Sequence, residues 1–264
     1  MSRRLRAIAH ETVAIAERGS YRTATGTVTL DVTPAVAGTR LYLPGDALEL
    51  PQRGEIPRID VTDESTLEAT RRLGGDVAAL VFASARNPGG GFLNGAQAQE
   101  ESVARASALH PCLRAAGEFY AHHRAHEDLG YSDRVIYSPR VPVFRDDRGE
   151  LLPGAYPVSF LTAAAPNLGA IRRSQPERAE AVPEQLRGRA IRVLQVAAAH
   201  GHRRLVLGAW GCGVFGNDPA TVARAFQRAL QECRFFDDVV FAVFDRQKGT
   251  PVLAAFREVF AGGR

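Results

Sequence analysis

Cysteine is scarce. Cys112, Cys212 and Cys233 are the only three, they lie far apart, and none sits in a C-x-x-C pair. That argues against a disulfide framework or a structural zinc site and for a reducing compartment. Lysine is scarcer still, with Lys248 alone. The net charge of +4 and the pI near 9.2 therefore rest on arginine. Such a bias reflects genomic base composition and leaves a well-solvated surface as the simple reading, with attraction to a polyanion as the other. No apolar run approaches the roughly 18 residues that a membrane span needs. The N-terminal stretch is charged where a signal peptide would need its apolar segment, so a soluble, cytoplasmic protein is expected. H-E-x-x-H and G-x-x-x-x-G-K-[ST] are both missing, which removes support for a zincin or a P-loop nucleotidase. Solenoid repeats and low-complexity tracts are absent as well.

With 45% apolar residues in a chain of 264, one large domain, or one domain with an extension, can bury a full core. Residues 4–17 place Leu5, Ile8, Ala9, Val13 and Ile15 in a helical pattern that stops at Gly19. Threonine-rich alternation predicts a strand over 21–32. Four prolines and little periodicity follow over 34–57. We read 1–55 as an N-terminal extension packed on a main domain at 56–264. That domain opens with a strand at 58–61, Thr62 or Asp63 as N-cap, and a helix at 64–73 closed by Gly74-Gly75. The continuous apolar run at 77–85 suits a strand covered on both faces. A long helix is expected over 99–129, broken at Pro111. Strands are expected at 134–144, 156–165, 204–210 and 239–245, and helices at 183–200 and 252–260. This alternation predicts an α/β sheet sandwiched by helices.

Two glycine-rich segments join apolar strands to helices. The first runs Asn87-Pro88-Gly89-Gly90-Gly91 and leads, through residues 92–98, to Gln99-Glu100-Glu101. Three glycines bare the backbone and let main-chain N–H groups approach a bulky anion such as a diphosphate. Glu100 and Glu101 are about 100° apart on a helix, so they point differently and have different jobs, unless both merely complement the helix dipole. The second is Gly211-Cys212-Gly213-Val214-Phe215-Gly216-Asn217-Asp218-Pro219, with Pro219 suited to a first helical turn. Loops of this kind gather ligands at the carboxyl ends of strands. Gly211, Gly213 and Gly216 also match the dinucleotide fingerprint G-x-G-x-x-G, but the acid ending the next strand, Asp245, lies 29 residues beyond Gly216 instead of about twenty. We read that match as a decoy. Trp210 is expected in the core, while Phe215 is suited equally to stacking on a ligand ring or plugging the sheet edge. His122 and His126 have i, i+4 spacing but no third ligand, so His122, His123 and His126 are expected on an exposed polar helix face.

Gly89-Gly90-Gly91, seven residues and then Gln99-Glu100-Glu101 resembles the signature of poly(ADP-ribose) glycohydrolases. The stretch 208–217 is similar to the second loop of the bacterial type, and Phe82-Ala83-Ser84-Ala85 and Ala164-Ala165-Pro166-Asn167 fit it too. The resemblance covers about residues 56–264. It implies a macrodomain-like three-layer α/β/α sandwich with a mixed central sheet, and a hydrolase that trims poly(ADP-ribose) to ADP-ribose, mainly from chain ends. It implies Glu101 as acid/base, Glu100 as a ribose anchor, Gln99 as support of the catalytic loop and Asn87 on the terminal ribose. The diphosphate would be embraced by Gly89, Gly90 and Gly91 and by Gly211, Cys212, Gly213, Val214, Phe215 and Gly216, with Phe215 lining the ribose or adenine side. Thr62 and Asp63 are the guess for the adenine pocket. No cofactor and no metal are implied. The partners are poly(ADP-ribose) and ADP-ribosylated proteins, with neither a membrane nor nucleic acid required. The alternatives are a macrodomain that binds ADP-ribose without cleaving the polymer, and a hydrolase of mono-ADP-ribosyl conjugates.

Overall fold

The structure, a computed structural model, describes residues 2–261. Its centre is a seven-stranded mixed sheet, in the order β3 (Arg40–Tyr42), β6 (Val135–Arg145), β7 (Leu151–Ala163), β5 (Ala78–Phe82), β8 (Arg204–Leu207), β9 (Asp238–Ala242), β4 (Arg58–Thr62). From β7 to β4 all neighbours are parallel, and β6 runs antiparallel to β7 and β3. Successive side chains of a strand point to opposite faces, and here both faces are covered. Ala78, Leu80, Leu205, Leu207, Val239 and Phe241 face one helical layer, whereas Ala79, Val81, Val206 and Val240 face the other. That is why these strands read as unbroken apolar runs.

The first layer contains α7 (Leu168–Ser174), α8 (Val182–Ala199), α9 (Pro219–Glu232) and α10 (Pro251–Ala261). Phe226 of α9 and Phe256 of α10 each set their rings 5.6 Å from Phe241 of β9. Burying each such side chain stabilises the fold by roughly 1.5–3 kcal/mol, which fixes both helices on the sheet. The opposite layer contains α1 (Arg3–Arg18), α3 (Thr66–Leu73), α4 (Gln99–Ala106), α5 (Leu109–Ala115) and α6 (Gly117–Ala125). No helix among the described residues is long and apolar enough to cross a membrane.

Several boundaries differ from the sequence reading. The strand expected at 21–32 is a two-stranded hairpin, β1 (Ser20–Thr23) and β2 (Gly26–Thr29), outside the main sheet. Residues 2–55 form a helix and a hairpin, with the short α2 (Thr33–Ala37), and they also supply β3 at the edge of the central sheet. Helix α3 is capped by Ser65 in a capping box with Glu68, because Thr62 is still paired in β4 opposite Ala242. The region 99–129 forms three helices, and the first break falls at Ser107, which is extended and bridges to Val143 of β6. Pro111 lies in the first turn of α5, where its missing N–H costs no helical hydrogen bond. Strand β7 begins five residues before the expected 156, at Leu151, since a turn over 146–150 pairs it with β6 as a hairpin. Helix α7 has no counterpart among the expected elements.

The carboxyl ends of β5, β8, β9 and β4 all emerge along one side of the sheet, so both glycine-rich loops open there. That common edge positions the site.

Candidate active site

Three consecutive residues at the start of α4 organise the first loop. Gln99 presents both halves of its amide: Oε1 accepts the Phe82 N–H at 2.9 Å, and Nε2 donates to the Leu80 carbonyl at 2.8 Å and the Thr66 hydroxyl at 3.0 Å. It thus ties α4 to the end of β5 and to α3. Glu100 Oε2 accepts the Ser84 N–H at 2.7 Å, and Glu101 Oε1 accepts the Gly91 N–H at 3.0 Å. The two glutamates leave the helix in different directions, yet their carboxylates converge on Gly90. Its φ is 60°, and a Cβ there would collide with Glu101 Oε1 and stand 3.0 Å from Glu100 Oε2. Only glycine provides both the left-handed backbone and the empty space.

Glu100 is 2% exposed and Glu101 9%. Burial pushes the Glu100 carboxyl up to about 8, the Ser84 N–H opposing the rise and the neighbouring Glu101 charge adding to it. A carboxyl shifted this way favours its neutral form, which can donate a hydrogen bond. Ala85, next to these groups, is buried with φ of 68°, a sparsely populated conformation for a residue with a Cβ. Asn87 is exposed on the same loop, and its carbonyl accepts the Gly90 N–H at 2.9 Å.

The triple glycine does not offer the donors expected of it. The Gly90 N–H is bonded to the Asn87 carbonyl and the Gly91 N–H to the Glu101 carboxylate, so neither is free for an anion. Unengaged donors lie in the second loop instead. The N–H groups of Gly213, Val214 and Phe215 have no partner among the described residues. The base of this loop is rigid. Asn217 Nδ2 donates to the carbonyls of Pro166 at 2.8 Å and Gly211 at 3.2 Å, and a Cβ on Gly211, whose φ is 73°, would be forced into that amide. Trp210 is core, its Nε1 donating to Ala163 at the end of β7 at 3.0 Å. The Gly169 N–H holds the Phe215 carbonyl at 2.8 Å. At the tip Gly216 closes a turn onto Gly213 at 2.9 Å. Val214 is 92% exposed, and the half-buried Phe215 ring lies 6.0 Å from Tyr131. Burial drives the Cys212 thiol up to about 12, which keeps it protonated and unreactive.

Thr62 ends β4 and its carbonyl accepts the Val243 N–H at 2.9 Å, so Thr62 and the exposed Asp63 stand at the same sheet edge beside β9. Two residues after β9 comes Phe244, 55% exposed, with the Arg246 guanidinium 4.8 Å over its ring. Sequence reasoning passed over Phe244, although an aromatic residue closing an apolar strand run was the available signal. It assigned no separate place to Ser84 or Tyr131, whose contacts with Glu100 and Phe215 are remote in sequence. Asp245, the acid of the dinucleotide fingerprint, instead accepts the Val252 N–H at 2.7 Å at the start of α10, in keeping with a decoy.

The histidine expectation needs correction. His123 is buried, its Nε2 is 2.8 Å from the Ser132 hydroxyl, and burial lowers its pKa to about 4. The rings of His122 and His126 lie 3.9 Å apart, and no group of three metal-binding side chains occurs among the described residues.

Known proteins match this arrangement. The family model for the catalytic domain of microbial-type poly(ADP-ribose) glycohydrolase matches residues 9–146. The crystal structure of poly(ADP-ribose) glycohydrolase from Thermomonospora curvata is 51% identical, covers 98% of this chain and 100% of its own, and superposes with a TM-score of 0.92. The same enzyme bound to the inhibitor ADP-HPD is 51% identical over 97% of this chain and 99% of its own, with a TM-score of 0.89. The enzyme from Deinococcus radiodurans in complex with ADP-ribose is 44% identical over 92% of this chain and 100% of its own, with a TM-score of 0.83. No curated protein matches the chain. Half of its residues shared along nearly the whole length, together with the match to the family model, make this chain a member of the microbial-type poly(ADP-ribose) glycohydrolases.

Proposed function

We propose that this protein hydrolyses the ribose–ribose glycosidic bonds of poly(ADP-ribose) on ADP-ribosylated proteins, releasing ADP-ribose mainly from chain ends. The observation that carries the reading is the convergence of Glu100 and Glu101 on Gly90, at the strand edge that also bears the free amides of Gly213, Val214 and Phe215. The Deinococcus radiodurans relative binds ADP-ribose, which supports the same ligand here.

The diphosphate sits against those amides, which aim donors at its charge. The terminal ribose lies between Asn87 and the glutamates. Neutral Glu100 donates its proton's hydrogen bond to a ribose hydroxyl and orients the sugar. Glu101, entering the substrate complex protonated, gives its proton to the ribose oxygen that leaves as the glycosidic C–O bond breaks. The resulting oxocarbenium-like centre is positive, and the nearby diphosphate stabilises it. Glu101, now deprotonated, takes a proton from the attacking water, which completes ADP-ribose and restores the acid. Phe215 lines the ribose or adenine side, Phe244 supplies a stacking face, and Thr62 and Asp63 border the adenine. Three free cysteines support work in a reducing compartment such as the cytoplasm.

The test is incubation of wild type and Glu101→Gln with poly(ADP-ribose), reading ADP-ribose release and polymer binding separately. Binding retained with release abolished is expected. Release at the wild-type rate by Glu101→Gln sinks the assignment of Glu101. Binding without release by the wild type makes the protein a reader of ADP-ribose, and release only from mono-ADP-ribosylated protein makes it a hydrolase of that conjugate.

A further inference from the structure

Helix α1 lies along the catalytic loop. The Ser2 N–H donates to the Gly95 carbonyl at 3.3 Å, and Ala9 packs with Phe92 and Ala104, flanked by Val13 and Leu93. Behind the glutamates, the buried Arg105 donates from Nη1 to the Ala96 carbonyl at 2.8 Å. The Ala96 N–H in turn holds the Gly91 carbonyl at 3.1 Å, and the Gly91 N–H holds Glu101 Oε1. Glu101 stands four residues before Arg105, on the same face of α4. The four residues close a ring of hydrogen bonds and helix backbone around the reacting carboxylate.

Arg105 is itself held from outside. Its carbonyl accepts the Thr12 hydroxyl at 2.6 Å, and that hydroxyl accepts Arg145 Nε at 3.0 Å. Arg145 is anchored by an ion pair with Glu11 at 2.7 Å and by a bond to the Gly149 carbonyl at 2.6 Å. Burial lowers the Arg105 pKa, and the Glu101 charge opposes that lowering, so the two groups feel each other. A guanidinium placed this way does two things: it fixes the loop that fixes Glu101, and it supplies a cation beside a buried acid.

We propose that Arg105 is a positioning residue for Glu101, and that α1 sustains it through Thr12, which makes the N-terminal helix part of the catalytic apparatus. The proposal rests on the reading of Glu101 as the acid/base group. Its test compares Arg105→Gln, Arg105→Lys, Thr12→Val and Glu101→Gln. For each, kcat and KM on poly(ADP-ribose) are measured from about pH 5 to about pH 9, alongside calorimetric binding of ADP-ribose. Arg105→Gln is expected to lower kcat about 100-fold, the cost of a carboxylate misplaced by about an ångström. KM and ADP-ribose binding stay within about threefold, because no contact to the ligand is removed. Its pH–rate profile moves to the alkaline side, since a cation beside a carboxylate has gone. Arg105→Lys keeps the charge, leaves the profile in place and restores part of the rate. Thr12→Val lowers kcat about tenfold without moving the profile.

An unmoved profile in Arg105→Gln, or a rate loss that Lys does not relieve, makes Arg105 a merely structural residue and overturns the proposal. Should Arg105→Gln fail to fold, Thr12→Val decides the matter, and a wild-type kcat there overturns it. Wild-type release by Glu101→Gln overturns instead the reading on which the proposal rests. An inactive Glu101→Gln beside a fully active Arg105→Gln overturns the proposal alone.

Discussion

Replacing Gly90 with alanine adds one methyl group at the point where both glutamates meet. Two costs follow from the geometry. A φ of 60° with a Cβ costs about 1–2 kcal/mol in backbone strain. The methyl also overlaps Glu101 Oε1 and presses on Glu100 Oε2, so at least one carboxylate retreats by about an ångström to reach ordinary contact. Strain of that size lowers Tm by about 2–8 °C in a chain of this length, which leaves the protein folded at ordinary assay temperature. A displacement of about an ångström in the proton-transferring group lowers kcat by about 100-fold. The assay is ADP-ribose release from poly(ADP-ribose) under saturating polymer, paired with a thermal melt. A Gly90→Ala enzyme whose kcat stays within about threefold of wild type would refute the convergence of the two acids on this residue. A Tm loss much beyond about 8 °C would instead place the damage in the fold and not in the site.

Glu100 should also register in stability. Its folded-state pKa of about 8 lies above the unfolded value, so its contribution is full below the unfolded pKa and is lost as pH rises toward and through 8. Thermal melts of Glu100→Gln and wild type should therefore diverge in favour of the variant between acidic pH and about pH 9, and a constant difference across that range would contradict a buried neutral acid. Phe244→Ala should weaken ADP-ribose binding by about 1–3 kcal/mol in calorimetry, as loss of one base-stacking face does, with little change in Tm because the ring is exposed. Unchanged binding would remove Phe244 from the adenine side.

Much of the architecture was legible before any coordinates. Runs such as 77–85 record burial on both faces of a strand, and glycines, prolines and caps mark where strands and helices end. The triple glycine with Gln99-Glu100-Glu101 pointed to the chemistry through its resemblance to the poly(ADP-ribose) glycohydrolase signature. The helix over 99–129 was misjudged at Ser107, where a bridge to β6, not a local breaker, ends α4. His123 was misjudged too, since a helix face becomes buried or exposed only through what packs on it.

Local pattern in the chain carried the alternation of strands and helices and the two loops, because backbone preference and side-chain burial repeat over a few residues. Packing settled the rest. It brought Glu100 and Glu101 onto Gly90, raised the Glu100 pKa by burial, and turned the Gly91 amide toward Glu101 while leaving the Gly213, Val214 and Phe215 amides free. It also joined Thr12 to Arg105 across 93 positions. Contacts of that separation depend on how distant elements fit together in space, and desolvation depends on everything that surrounds a group; neither quantity has a period that a sequence can display.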